Sequence, residues 1–102
     1  MKRALVSQNN VDHIGDIVSA SLSWDGREID FASIERIEMR QSWAGARRVA
    51  RGTVIMTDHS EFRFEDSEWE TLLLTGKITL RVASLEICFD IKSISKIDYP
   101  VD

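Results

Sequence analysis

Hydrophobic and polar residues alternate one by one through residues 18–24, VSASLSW, so that every second side chain is apolar. This period of two is typical of a β-strand with one buried face and one polar face. Asp25-Gly26 follows, and both residue types tolerate the positive φ angles of a tight hairpin turn. Ile29 and Phe31 then resume the apolar face. The pattern predicts a first β-hairpin, with a bulge or bend where the apolar phase shifts after Phe31.

A second hairpin is predicted in the middle of the chain. Residues 53–57, TVIMT, are β-branched and apolar, and residues 58–60, DHS, are turn-forming. Phe62 and Phe64 then alternate with a polar residue. Further apolar runs over 78–99 bring the predicted total to about seven strands.

One short helix is predicted at about 67–75. The residues S-E-W-E at 67–70 match a capping box, in which the serine and the second glutamate each bond to the other's backbone. Trp69 and Leu72 follow at the spacing of one helical face, and Gly76 stands where a helix commonly ends.

These elements predict a mainly β fold. It is a single small antiparallel sheet of about seven strands, rolled or closed into a barrel to cover its apolar face, with the short helix packed on it. The predicted core consists of the apolar residues at the inner positions of these elements: Leu22, Trp24, Ile29, Phe31, Ile37, Val54, Met56, Phe62, Phe64, Trp69, Leu72, Ile78, Leu80, Ile87, Phe89, Ile94 and Ile97.

Two segments of the chain resemble each other at an offset of sixty residues. Residues 29–39 align without gaps over 89–99, and the identical positions are Asp30/Asp90, Ser33/Ser93, Ile34/Ile94 and Ile37/Ile97. The apolar phase also matches upstream, so the pseudo-repeat covers about 17–39 and 77–99. Duplication and convergence on one hairpin pattern both explain the match, and both predict the same local structure in the two segments.

Composition adds few constraints. The chain has 102 residues, of which 43% are hydrophobic and 29% are charged, which fits one folded domain over 1–102. No apolar run approaches the ~20 residues that span a bilayer, and the N-terminus lacks the hydrophobic region of a signal peptide. We therefore expect a soluble, cytoplasmic protein without a membrane partner. Cys88 is the single cysteine and is expected to be a buried or half-buried strand residue.

Charge is segregated along the chain although the net charge is only −4. Residues 36–51 contain five arginines and one acidic residue, whereas residues 58–70 contain six acidic residues and one arginine. The two stretches can neutralise each other across adjacent strands or face water, and either arrangement contributes little stability. They can also form binding surfaces.

Residues 42–52, SWAGARRVARG, combine a tryptophan with arginines and small residues. If the strands on either side pair, residues 41–48 form a tip that is too long for a two-residue turn. An exposed tryptophan beside arginines matches the composition of interface hot spots. The alternative is that Trp43 folds back onto the sheet. The candidate partner-binding residues are Trp43, Arg40, Arg47, Arg48 and Arg51.

The function predicted from these features is that of a non-catalytic protein-binding module, such as an inhibitor, adaptor or immunity-type protein. It would act through this loop or through an acidic face made of Glu61, Glu65, Asp66, Glu68 and Glu70. As an alternative, these carboxylates imitate the row of phosphates in a nucleic acid, or the arginines contact nucleic acid directly. The acidic pI of about 5.1 disfavours direct contact. Open sheet edges also allow a homodimer.

A small metal-dependent enzyme is the second alternative. Asp12-His13 with Asp16, and Asp58-His59 with Glu61, offer the ligand types of zinc or manganese sites. Their spacings match no ligand motif, and turn chemistry alone explains residues 58–60. The chain has no phosphate-binding glycine loop, nucleophile elbow or paired cysteines, so we expect no catalytic residues, no metal and no cofactor.

Overall fold

A single sheet of nine antiparallel strands is formed in the computed structural model, which describes residues 3–45, 47–68 and 74–101. The strands are β1 Arg3–Gln8, β2 Val11–Trp24, β3 Arg27–Ile29, β4 Ile34–Ala44, β5 Arg47–Met56, β6 Glu61–Glu68, β7 Leu74–Val82, β8 Leu85–Asp90 and β9 Lys96–Val101. Two 3-10 turns, Phe31–Ser33 and Ile91–Ser93, lie between β3 and β4 and between β8 and β9. No helix within the described ranges has the length and apolar character needed to cross a membrane.

The strands follow the order β6-β5-β4-β9-β1-β2-β7-β8 in the sheet, and β3 pairs with the end of β2. The predicted mainly β, antiparallel fold is confirmed, with nine strands where the patterns indicate about seven. The strand missed entirely is β1. It is joined to β2 by Asn9 and Asn10, whose φ angles of 52° and 63° are those of a tight hairpin turn.

The sheet is rolled but not closed. In the strand order, β2 and β6 are separated by β5, β4, β9 and β1. Nevertheless, the rings of Trp24 on β2 and Phe62 on β6 contact each other, with centroids 5.0 Å apart. The sheet must therefore curve until these strands meet, and its concave inner face encloses the core.

Most of the predicted core is buried on this inner face. Among the predicted residues, those that are buried are Leu22, Ile29, Ile37, Val54, Ile78, Leu80, Phe89, Ile94 and Ile97. Those that are half-buried against them are Trp24, Phe31, Met56, Phe62 and Ile87. The side chain of Phe64 and the residues Trp69 and Leu72 lie outside the described part. The core also includes Ala4 and Val6 of β1, which the sequence patterns did not reveal.

The helix predicted over 67–75 is wrong at both of its ends. Ser67 lies in β6, opposite Ala50 of β5. Leu74 already belongs to β7, and residues 69–73 lie outside the described residues. A helix of two turns is marginal without tertiary support, whereas extending β6 adds hydrogen bonds to an existing ladder. Strand pairing therefore overrides the capping pattern.

Gly76 is not a helix end but part of β7, opposite Leu22. Its φ of +126° is one that residues with a side chain rarely adopt, and a Cβ at this position would collide with the Ser21 carbonyl oxygen. Glycine is therefore required by the close approach of β2 and β7.

The two similar segments contain the same capped turn. Asp30 accepts a hydrogen bond from the Ala32 amide at 3.0 Å, and Asp90 accepts one from the Lys92 amide at 2.9 Å. Each aspartate stands before a 3-10 turn of three residues that leads toward β4 or β9. The identical aspartates of the alignment thus occupy equivalent structural positions.

Candidate functional site

Among the described residues, the end of the β4–β5 hairpin extends beyond the paired parts of the neighbouring strands. β4 pairs with β5 as far as Ala44 and Arg47, but β9 pairs with β4 only over 37–40. On the other side, β6 pairs with β5 over 49–55. Within the described ranges, residues 43–48 are therefore paired only with each other, and we call them the hairpin tip.

The tip is shorter and more regular than the sequence indicated. We expected residues 41–48 to be a connection too long for a two-residue turn, but the strands pair up to Ala44 and Arg47. Only two residues remain between them: Gly45, with a φ of +67°, and residue 46, which lies outside the described part. The expectation was wrong because small and polar residues were interpreted as a loop, although backbone pairing does not require apolar side chains.

Trp43 lies in this tip and is 56% exposed. Its backbone is directly opposite that of Arg48. Trp43 is therefore exposed at the tip, and its indole is not enclosed in the core. Trp43 is one of only five large hydrophobic residues that are exposed in the described structure.

Arg40 and Arg51 do not form one surface with Trp43. Side chains alternate between the two faces of a strand, so Arg40 and Trp43 lie on opposite faces of β4. Arg40 projects from the outer face, where its guanidinium makes two hydrogen bonds to Asp98, of 2.9 and 3.1 Å. Arg51 is directly opposite Arg40 and shares that face. The side chains of Arg47 and Arg48 lie outside the described part of the structure.

Gln41 anchors the base of the hairpin tip and was missed by the sequence analysis. Its side chain is buried, and its amide nitrogen donates hydrogen bonds to the carbonyl oxygens of Ile91 at 2.7 Å and Ile94 at 2.5 Å. The backbone amide of Gln41 also donates to the Ser95 carbonyl oxygen at 2.8 Å. These bonds fix β4 to the second 3-10 turn. A glutamine that continues the inward series Ile37 and Met39 is the signal that could have identified it.

The acidic stretch lies on β6 and partly pairs with basic neighbours. Glu61 is 3.0 Å from Arg63. Glu65 is exposed and lines a shallow groove on the outer face together with Arg51 and Arg63. The side chains of Asp66 and Glu68, and the whole of Glu70, lie outside the described residues. The basic and acidic stretches therefore sit side by side on β5 and β6.

Several of the residues considered for a metal site are engaged in structural contacts. Asp12 accepts a hydrogen bond from the Ser7 hydroxyl, and the His13 ring packs on Phe89 with centroids 5.2 Å apart. Asp58 accepts from the Ser60 amide at 2.8 Å, and hydrogen bonds from the Ser60 side chain and backbone lower the pKa of this carboxyl. Within the described ranges, no three histidine, cysteine or acidic side chains cluster as metal ligands would.

Cys88 is exposed, contrary to the expectation of a buried or half-buried residue. It lies on β8 between Ile87 and Phe89, and these neighbours face the core. Strand alternation therefore directs the thiol to the outer face.

Comparison with protein-family models, with curated proteins and with solved structures finds no match for this chain.

Proposed function

We propose that this chain is a non-catalytic protein-binding module that contacts its partner with the tip of the β4–β5 hairpin. The observation that carries this proposal is the position of Trp43, which is 56% exposed on a tip that extends past the described parts of its neighbouring strands. Tryptophan is enriched among residues that dominate binding energy.

The exposed surface of Trp43 can supply a useful part of a binding free energy. A partner that covered roughly 100–150 Å² of the indole would gain about 2–4 kcal/mol. The ordered strand pair limits the entropy lost when this side chain is immobilised, since the backbone beneath it is already fixed. The tip therefore has the properties of a preorganised anchor.

The arginines have separate roles in this proposal. Arg40 and Arg51 lie on the face opposite Trp43, and Arg40 is already bound to Asp98. A single flat partner surface cannot reach both faces of the tip. We therefore assign the contact to Trp43 and Arg48, whose backbones are directly opposite each other, while Arg47 borders the turn itself.

The acidic face is a weaker candidate for the contact. Glu61 is held by Arg63, so the described carboxylates of β6 alternate with basic groups and do not form an uninterrupted acidic row. A protein that imitates nucleic acid needs a continuous row of negative charge. Nothing in the described structure favours this alternative over the hairpin tip.

A homodimer and a cytoplasmic location complete the proposal. In the described structure β6 pairs only with β5, and β8 pairs only with β7, so each presents an open edge. Light scattering measures the mass directly, and a monomer at working concentration removes the dimer from the proposal. The single cysteine can form no intrachain disulfide, which suits a reducing compartment.

The test is affinity capture from the native host with wild-type protein, Trp43→Ala and Leu85→Ala. Leu85 is the matched control, because it is 69% exposed and also adjoins a hairpin turn. We expect the same partner to be retained by the wild type and by Leu85→Ala, and to be lost by Trp43→Ala. Retention of every partner by folded Trp43→Ala would refute the proposal.

A further inference from the structure

A groove of about 400 Å³ lies where the rolled sheet brings β2 and β3 against β5 and β6. Its floor is apolar and consists of Trp24, Ile29, Met56 and Phe62. The rings of Trp24 and Phe62 are inclined by 33° to each other, and both residues line the groove. The groove is separate from the hairpin tip, and its volume lies within the range of small-molecule sites.

The rim of this groove is acidic. Asp25, Glu28 and Asp30 line it, with Arg27 as the single basic residue. In the described structure, none of these three carboxylates lies within ion-pairing distance of a basic side chain. Asp30 accepts a hydrogen bond from the Ala32 amide with one of its two oxygens. The rim thus carries a net negative charge.

The outer face of the sheet provides a contrast. Some of its carboxylates form ion pairs: Glu61 is 3.0 Å from Arg63, and Asp98 is 2.9 Å from Arg40. The carboxylates beside the aromatic floor have no such basic partner among the described residues, and their charge is complementary to a cation.

We propose that this groove, defined by Trp24, Phe62, Asp25 and Glu28, binds a small organic cation of the alkylammonium class. An alkylammonium group satisfies both parts of the site, because its methyl groups pack on the apolar floor while its charge interacts with the ring faces and the carboxylates. A neutral apolar ligand would not neutralise the negative charge of the rim. An inorganic cation would make no apolar contact with the aromatic floor. The proposal does not depend on the function of the hairpin tip.

The experiment is a titration of the complete protein with choline, followed by the indole N–H signals in ¹H–¹⁵N spectra. The neutral isostere 3,3-dimethylbutan-1-ol is the matched ligand, since it replaces the ammonium nitrogen with carbon. We expect choline to cause a saturable shift of the Trp24 signal while the Trp43 signal stays in place. The neutral alcohol should bind at least about threefold more weakly.

Variants test the two parts of the site separately. Asp25→Asn with Glu28→Gln removes two charges, and asparagine suits the hairpin turn that Asp25 occupies. This double variant should weaken choline binding by about fivefold. Phe62→Leu keeps an apolar floor but removes one ring, and should weaken binding by about twofold to fivefold. Glu86→Gln on β8 is the control for charge and should leave binding unchanged.

Three results would overturn the proposal: no saturable shift at Trp24 with choline, equal binding of the neutral alcohol, or equal losses in Glu86→Gln and in the rim variant. Each variant is first checked by thermal unfolding, so that a change in binding is compared only among folded proteins.

Discussion

Gln41 and Trp43 lie two residues apart on the same face of β4, but Gln41 is 6% exposed and Trp43 is 56% exposed. The boundary of the folded core therefore runs between these two residues. Gln41 ends the buried series with hydrogen bonds to the second 3-10 turn, and Trp43 begins the projecting tip. This relationship makes Gln41 the positioning residue for the proposed binding surface.

Gln41→Leu should destabilise the protein by about 1–3 kcal/mol, because the carbonyl oxygens of Ile91 and Ile94 would lose their buried donor. Leucine has a similar size, so the change removes hydrogen bonds without opening a large cavity. The free energy of unfolding in urea measures the loss. An unchanged value would mean that these bonds contribute nothing net to the fold.

The two described tryptophans should differ strongly when each is replaced by alanine. Trp24 packs on the core and on Phe62, so Trp24→Ala should cost about 2–4 kcal/mol. Trp43 is mostly exposed, so Trp43→Ala should change stability by about 0.5 kcal/mol or less. Thermal unfolding of both variants provides the comparison, and a large loss in Trp43→Ala would show that the indole supports the fold.

Local patterns along the chain predicted the hairpins because each depends on a few neighbouring residues. The alternation over 18–24 and the Asp25-Gly26 turn reappear as the end of β2 and its connection to β3. The pairing of β9 between β4 and β1 could not be predicted, since no local pattern records which distant strands become neighbours. The capping box at 67–70 failed for the same reason, because Ser67 pairs with a strand seventeen residues earlier.

The candidate site was predicted only in part. The composition of 42–52 drew attention to Trp43, but its exposure depends on how far β9 and β6 extend along the hairpin. The separation of Arg40 from Trp43 follows from strand alternation. It was overlooked because residues 41–48 were interpreted as a loop, where alternation has no meaning.

The two aspartate caps should contribute equally. Asp30→Ala and Asp90→Ala each remove a side-chain acceptor from an amide two residues later, at nearly the same distance. Each should cost about 0.5–2 kcal/mol, and Asp→Asn at the same position should restore most of the loss because asparagine also accepts. Urea unfolding of the four variants tests this. A loss in only one segment would show that the two turns are not energetically equivalent.

Asp58 should make stability depend on pH in the acidic range. Hydrogen bonds from the Ser60 side chain and backbone hold the pKa of Asp58 below its ordinary value in the folded protein. A carboxyl whose folded pKa is lowered stabilises the fold above its unfolded pKa, and this contribution is lost as the pH falls through the folded pKa.

Two variants test this assignment. Ser60→Ala removes the side-chain hydrogen bond, which is the largest cause of the lowered pKa, while the backbone amide of residue 60 can still donate to Asp58. The pKa of Asp58 should therefore rise toward its ordinary value. An NMR titration of the Asp58 carboxyl carbon measures both values. In Asp58→Asn the acid-dependent contribution should disappear, and an identical pH profile for wild type and Asp58→Asn would contradict the assignment of this turn as the source.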